Sequence, residues 1–146
     1  MRRIFLFLLP LLIVVGCSPM FGNSGKKMFL DGKIVVDDEE YNLERGYYSY
    51  KDDEVELNRL DPFTPIDAAE QFDTLTVEMN SEIEFVLDEK TTIVTVKQWD
   101  EDGEITEVPI DDNSLTVPAE AGYYLYEVIA EWRKGQTTFV FDIDVH

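Results

Sequence analysis

The sequence is poor in the residues that cross-link chains or bind metals. Its 146 residues include one Cys and one His. A single Cys excludes a disulfide framework within one chain, and one Cys with one His is too few for a zinc site. The lone His146 stands at the terminus, where chains usually fray. We therefore expect neither a Cys–His nor a Ser–His–Asp catalytic arrangement, and no Gly-rich phosphate loop is present.

Basic residues are also scarce. Twelve Lys and Arg stand against 31 Asp and Glu, which gives a net charge of −19. Nucleic-acid binding needs clustered Lys and Arg, so the composition excludes it. Two interpretations of the acidity stay open: surface acids keep an exported protein soluble, or they attract a cationic partner.

No apolar run is long enough for an ordinary membrane span. Arg2 and Arg3 precede an apolar run of 12 residues over positions 4–15. A spanning helix needs about 20 such residues. A positive start followed by a run of this length is typical of a secretory signal peptide.

The apolar run ends in Val14-Val15-Gly16-Cys17. This stretch resembles the lipobox of bacterial lipoproteins, in which small residues precede an invariant Cys. The resemblance implies a signal peptide over residues 1–16, cleavage after Gly16 and diacylglycerol on the Cys17 sulfur. An ordinary signal peptide with a coincidental Cys, or a short uncleaved anchor, is the alternative. Cleavage removes two arginines and takes the net charge from −19 to −21, so the lipid must hold the chain to an anionic membrane.

The rest of the chain divides into a tether and one domain. Residues 17–27 are small, polar and Gly-bearing, which is typical of a flexible tether. Residues 28–146 contain no internal repeat or low-complexity tract. Hydrophobic residues make up 45% of the sequence, enough for a packed core.

Most of this domain alternates apolar and polar residues with the period of a half-buried strand. Residues 34–36 and 41–43 predict a hairpin around a charged turn at 37–40, and residues 46–50 predict a further strand. Residues 51–60 are charged and predict a loop. Thr64, followed by Pro65 and an acid at 67, predicts the start of one short helix, over residues 65–72.

Further strands are predicted around residues 75–79, 83–87, 91–99, 104–110 and 115–117. In the strand at 91–99, either Val94 and Val96 or Ile93 and Trp99 face inward. The last thirty residues predict a long antiparallel hairpin. Its inward residues are Tyr124, Tyr126, Val128, Ala130, Trp132, Phe139, Phe141, Ile143 and Val145. Asp142 and Asp144 are expected to point outward.

Residues 121–126 (AGYYLY) resemble the G-x-Y-x-C approach to strand F of immunoglobulin-like domains, with Tyr126 in the Cys position. The resemblance covers roughly residues 73–146. It implies an all-β fold: a cysteine-free, immunoglobulin-like antiparallel β-sandwich, here with one short helix. It also implies that Tyr124 forms a tyrosine corner, its hydroxyl bonded to upstream backbone, and that Trp99 is the core tryptophan of strand C.

The chain after the signal also resembles small lipoproteins of unknown function from Bacillus-type bacteria. They share a Gly-x-Tyr-x-aromatic segment, here residues 46–50, and a final hairpin that begins Gly-Tyr-hydrophobic-Tyr. This resemblance implies an immunoglobulin-like domain outside the cytoplasm, with no known activity.

Tyrosines are the candidate binding residues. They are Tyr47, Tyr48, Tyr50 and Tyr123. Alternation sends about half of a strand's side chains outward, so Tyr123 and either Tyr48 or the pair Tyr47/Tyr50 are candidates for an exposed patch. Exposed tyrosine supplies rigid contact area at interfaces. The alternative is that strand propensity alone accounts for them.

One acidic turn is a candidate calcium site. Asp100, Asp102 and Glu104 place oxygens at the spacing that opens a calcium loop. The residue eleven positions after Asp100 is Asp111 rather than the bidentate Glu of an EF-hand. The alternative is a solvated hairpin turn in an acidic protein.

These patterns predict a membrane-anchored lipoprotein that faces outside the cytoplasm and works as a non-catalytic binding module. The expected partner is a protein or a cell-envelope ligand, and no cofactor is expected. A calcium-dependent accessory domain of an envelope complex is the alternative. An enzyme comes third, since paired carboxylates can cleave glycosidic bonds.

Overall fold

The computed structural model describes residues 30–53, 56–58 and 64–146. The lipobox with Cys17, the predicted signal peptide and the predicted tether lie outside these residues. Within them, no helix has the length and apolarity needed to cross a membrane. The described elements are, in chain order, β1 (Gly32–Val36), β2 (Glu39–Asn42), β3 (Glu44–Lys51), β4 (Glu56–Asn58), α1 (Pro65–Ala69), β5 (Leu75–Val77), β6 (Glu82–Leu87), β7 (Ile93–Trp99), β8 (Ile105–Val108), β9 (Ser114–Thr116), β10 (Gly122–Trp132) and β11 (Gly135–Val145).

The strands form two sheets. The smaller has the order β2-β1-β6-β9, and the larger has the order β4-β3-β11-β10-β7-β8. The short strand β5 pairs with β11 in parallel, whereas the other described pairs are antiparallel. The predicted all-β fold, with antiparallel sheets and one short helix, is confirmed. The strand β4 lies inside the segment predicted to be a loop.

The first hairpin forms as predicted, with a tighter turn. Asp37 and Asp38 adopt φ angles of 51° and 66°. Positive φ at both central positions gives the two-residue turn whose twist matches that of the flanking strands, and Asp tolerates this conformation. The chain can therefore return at Glu39, and β2 begins two residues earlier than the acidic run suggests.

The core lies between the two sheets, centred on the β10–β11 hairpin. Phe141 is fully buried and stacks on Tyr126 with ring centroids 5.1 Å apart. Across the core it meets Phe85 of the smaller sheet at 6.1 Å. The inward face predicted from alternation is confirmed for seven fully or nearly fully buried residues: Tyr126, Val128, Ala130, Phe139, Phe141, Ile143 and Val145. Tyr124 and Trp132 are half-buried and pack against this core.

In strand β7, the two valines rather than Ile93 and Trp99 face the core. Val96 is buried in the core, Val94 packs against it, and Ile93 is 55% exposed. Trp99 is therefore not the core tryptophan that the immunoglobulin resemblance implied. It lies opposite Leu125 in the β7–β10 register, on the outer face of the larger sheet. The even-numbered β7 residues are inward because Val96 pairs with the inward Val128.

Helix α1 begins as its sequence predicts. The Thr64 hydroxyl accepts from the Asp67 amide at 3.2 Å, and the Asp67 carboxylate accepts from the Thr64 amide at 2.8 Å. This reciprocal capping box satisfies amides at the helix start, and Pro65 stands at a position that needs no donor. The helix ends at Ala69, three residues before the predicted end.

Helix α1 covers part of the outer face of the larger sheet. Ala68 and Ala69 pack on Leu125 of β10 and Val140 of β11. Small side chains let the helix approach the sheet closely. At this place the sheet is covered on both faces, and the edge of the helix leaves an opening beside it.

Candidate functional site

A groove of about 820 Å³ opens beside α1 on the outer face of the larger sheet. Its floor is a row of three residues on adjacent strands, because Leu125 pairs with both Trp99 and Asp142. Neighbouring strands are about 4.8 Å apart, so the ends of this row are about 10 Å apart. The groove is lined by Ile66, Ala69, Glu70, Phe72, Thr74, Gln98, Trp99, Asp100, Glu101, Tyr123, Tyr124, Leu125 and Asp142.

Asp142 is the unexpected member of this row. Alternation predicts it to point outward into solvent, and it does lie on the outer face, but it is only 4% exposed. Its Oδ2 accepts hydrogen bonds from the Thr74 hydroxyl at 3.0 Å and the Tyr123 hydroxyl at 2.7 Å. Its Oδ1 is buried and has no hydrogen-bond partner among the described residues. A buried oxygen without a donor is costly, so a ligand donor at this point would be stabilising.

Tyr123 forms one wall of the groove. It is 53% exposed, as predicted for a candidate binding residue, while its hydroxyl is held by Asp142. Partial burial raises the pKa of this phenol, and the hydrogen bond to the neighbouring carboxylate raises it further. Tyr123 therefore stays protonated at neutral pH and donates to Asp142.

Trp99 forms the opposite end of the floor. Its indole Nε1 donates to the Glu127 carboxylate at 3.1 Å, and its ring packs beside Leu125. One edge of the indole is thereby fixed by a hydrogen bond, and the side chain lines the groove. A fixed indole can attract a cation to its face as well as pack against apolar groups.

The charged residues that the structure describes in the groove lining are all acidic. Three carboxylates, those of Glu70, Asp100 and Glu101, join Asp142 among its lining residues. The described lining includes no Lys, Arg or His. A cleft lined by one sign of charge concentrates ligands of the opposite sign.

The tyrosines of β3 lie elsewhere. Tyr48 pairs with Thr137, whereas Tyr123 pairs with Asp144, seven residues further along β11. At about 3.4 Å per residue this places the two segments about 24 Å apart. The predicted single patch of β3 tyrosines with Tyr123 is therefore wrong. None of Tyr47, Tyr48 and Tyr50 is among the described lining residues of the groove.

Tyr47 and Tyr50, which the sequence analysis treats as a pair, also differ in how far they are buried. Tyr47 is 43% exposed, Tyr48 is half-buried, and Tyr50 is only 4% exposed. The Tyr50 hydroxyl donates to Asp52 at 2.5 Å. The β3–β11 register shifts between Thr137 and Phe139. Tyr47 and Tyr50 differ for a simpler reason: they are three residues apart, so the period of two places their side chains on opposite faces of the strand.

The candidate calcium turn uses its first carboxylate to hold its own backbone. Asp100 Oδ1 accepts from the amides of Asp102 at 3.0 Å and Glu104 at 2.7 Å. Gly103 supplies the positive φ of 79° that closes the turn. In the described part of the chain, no group of three His, Cys, Asp or Glu residues is placed to hold a metal ion. The geometry gives Asp100 a role in the turn, and calcium binding by Asp100, Asp102 and Glu104 stays a prediction.

Tyr124 makes the contact that its resemblance implied. Its hydroxyl donates to the Glu120 backbone carbonyl at 3.0 Å, four residues upstream. Its ring stacks on Tyr126 with centroids 6.4 Å apart. The bond fixes the entry into β10 at the end of the groove.

Comparison of the chain with protein-family models, with curated proteins and with solved structures returns no match. The case for a site therefore depends on the geometry of the groove. Sequence reasoning missed Asp142, although one signal was available. Residues 137–141 are apolar or Thr at consecutive positions, which indicates a strand covered on both faces, and Asp142 continues that strand.

Proposed function

We propose that this chain is a non-catalytic binding module, held to a membrane outside the cytoplasm by a lipid on Cys17, and that it binds its ligand in the groove beside α1. One observation carries the proposal: Asp142, which lines a groove of about 820 Å³, keeps one buried carboxylate oxygen without a hydrogen-bond partner among the described residues. Small-molecule sites typically measure about 300–1,000 Å³ and combine apolar walls with few polar groups.

The hydrogen bonding of Asp142 supports a role in binding. The Asp142 carboxylate is held by two hydroxyl donors, which suits a fixed acceptor. The sheet beneath supplies a rigid base, since Leu125 and Asp142 lie on two directly paired strands.

A photo-crosslinker placed in the groove of the full chain, in intact cells, tests this function. Ile66 lines the groove and is 49% exposed. Ile93 is the matched control because it is 55% exposed and lies on the same outer face, outside the groove lining. With p-benzoylphenylalanine at each position, we expect light-dependent adducts at 66 that are absent at 93.

A blocked groove provides the second control. Thr74 lines the groove at Asp142, whereas Thr76 lies two residues further along, opposite Asp144. Thr74→Lys should abolish the adducts at 66, and Thr76→Lys should leave them. Equal adducts at both crosslinker positions, or adducts that survive Thr74→Lys, would contradict a ligand site in the groove.

The anchor is tested separately by mass spectrometry of the membrane-bound chain. We expect a mature form that begins at Cys17 and carries diacylglycerol. Cys17→Ser should prevent lipidation and release the chain from the membrane fraction. An unmodified Cys17 in the wild-type chain would overturn the proposed placement while leaving the groove proposal intact.

A further inference from the structure

Resting on the proposed function, we infer that the groove selects a small linear diamine or polyamine, with one ammonium bound at Asp142 and a second at the acidic turn after Trp99. Three observations lead to this ligand chemistry. They are the unpaired oxygen of Asp142, the apolar floor, and the carboxylates at the far end.

The first observation fixes one end of the ligand. Asp142 Oδ2 already receives two hydroxyl donors, and the buried Oδ1 receives none among the described residues. The two hydroxyl donors carry no charge, whereas buried charged groups in proteins are ordinarily paired with an opposite charge. A primary ammonium provides both the positive charge and the N–H donor.

The second observation describes the middle of the ligand. Between Asp142 and Trp99 the floor is Leu125, and Phe72 and Ala69 line the same opening. An alkyl chain can cover this apolar strip without leaving a polar atom unsatisfied. A ligand that is polar along its whole length would lose hydrogen bonds there.

The third observation fixes the other end. Asp100 and Glu101 follow Trp99 directly and line the groove about 10 Å or more from Asp142, given the spacing of adjacent strands. The pattern along the floor is thus acid, apolar strip, aromatic ring and acids. A chain with a cation at each end matches it, and the Trp99 ring adds a favourable site for the second ammonium.

The same pattern disfavours other ligands. Anions and amino-acid carboxylates would meet four carboxylates, and the described lining offers no basic group to pair with them. A bare metal ion would lack a set of three ligating side chains within the described residues. A metal ion would also make no use of the apolar contacts that Leu125, Phe72 and Ala69 offer.

Calorimetric titration of the full lipidated chain in detergent, at about 150 mM salt so that diffuse attraction is screened, tests the inference. The probes are 1,5-diaminopentane, pentylamine, 1,5-pentanediol and 6-aminohexanoate. We expect the diamine to bind most tightly and pentylamine about tenfold more weakly. The diol and the zwitterion should not bind.

Two variants of one strand separate the site from general charge. Asp142→Asn removes the proposed ammonium site and keeps the side-chain shape. Asp144→Asn removes the same charge from an exposed residue two positions away on the same outer face. We expect Asp142→Asn to lower diamine affinity at least tenfold and Asp144→Asn to change it less than twofold.

A third variant covers the case in which Asp142→Asn weakens the fold. Thr74→Lys places an ammonium of the chain itself next to Asp142, and Thr76→Lys places one next to Asp144. Thr74→Lys should abolish diamine binding with its melting temperature retained. Thr76→Lys should leave diamine binding unchanged.

Each opposite result has a distinct meaning. Equal affinity for pentylamine and the diamine would overturn recognition at two ends. Equal losses in Asp142→Asn and Asp144→Asn would show non-specific attraction and overturn the Asp142 site. No amine binding together with specific adducts at position 66 would overturn the ligand class and leave the binding module standing. No amine binding and no such adducts would overturn both.

Discussion

The two faces of the β10–β11 hairpin are covered by different partners, the inner face by the smaller sheet and part of the outer face by α1. The inner face carries aromatic and aliphatic side chains, and Phe141 meets Phe85 of the opposite sheet. The outer face at Leu125 and Val140 is covered by the two alanines of a five-residue helix. A whole sheet covers a large area of its partner, whereas a short helix covers a small area and leaves an edge.

This difference separates stability from binding. The fully buried side chains of the inner face are enclosed by neighbours, so truncating one of them leaves a cavity. Side chains on the outer face border a groove. When one of them is truncated, neighbouring side chains can therefore move into the space that it leaves. We therefore expect changes to the inner face to act on the free energy of unfolding, and changes to the outer face to act first on ligand affinity.

The strongest test of the comparison is Phe141→Ala on the inner face. Phe141 is fully buried and meets three aromatic rings, those of Phe72, Phe85 and Tyr126. We expect a loss of about 3–5 kcal/mol in the free energy of unfolding, measured by urea denaturation. Ile93→Ala, at a residue 55% exposed, is the control, with an expected change of about 0.5 kcal/mol or less.

Leu125→Ala makes the corresponding change on the outer face. Leu125 is 5% exposed under α1 and also forms the groove floor. We expect a loss of about 2 kcal/mol, at the low end for a buried Leu→Ala, because the site is open on one side. Binding of 1,5-diaminopentane should weaken in the same variant. A loss as large as that of Phe141→Ala would contradict the distinction between the faces.

Thr64→Ala tests how far the outer face depends on α1. The Thr64 side chain caps the helix through the Asp67 amide. Its removal should cost about 1 kcal/mol of stability, with hydrogen exchange increased at α1 more than at β10. Uniform exchange across both elements would show that the helix does not open separately from the sheet.

The smallest expected effect is a pH dependence at Asp67. Hydrogen bonds from the Thr64 backbone, and then from its side chain, lower the pKa of Asp67 below its ordinary value of 3.8. A lowered pKa in the folded state means that the carboxylate adds stability above pH 3.8 and that this stability is lost as the pH falls further. The stability difference between wild type and Asp67→Asn should therefore shrink as the pH is lowered from 6 to 3.

Much of the fold follows from local patterns in the sequence. Alternation along β10 and β11 identifies the residues that share a face, from Tyr126 to Val145, because strands have a side-chain period of two. The start of α1 follows from Thr64, Pro65 and Asp67, since each satisfies a local requirement of the first turn. Such features depend only on neighbours in the chain.

The site depends on contacts that are distant in sequence. Alternation places Asp142 on the outer face, but it does not reveal that α1, Thr74 and Tyr123 cover that face. The sequence pattern does not predict which way Trp99 faces, because both alternate sets of β7 side chains include apolar residues that could point into the core. The parallel pairing of β5 with β11 is likewise set by tertiary packing and has no turn signal.

The position of β11 in the larger sheet governs when that sheet can form during synthesis. Strand β11 holds β10 along one edge and β3 and β5 along the other, and all three precede it in the chain. The two halves of the larger sheet cannot be joined until residues 135–145 have been made. The pairing of β11 with β3 joins residues about 90 positions apart in the chain, and contacts of such large sequence separation form slowly.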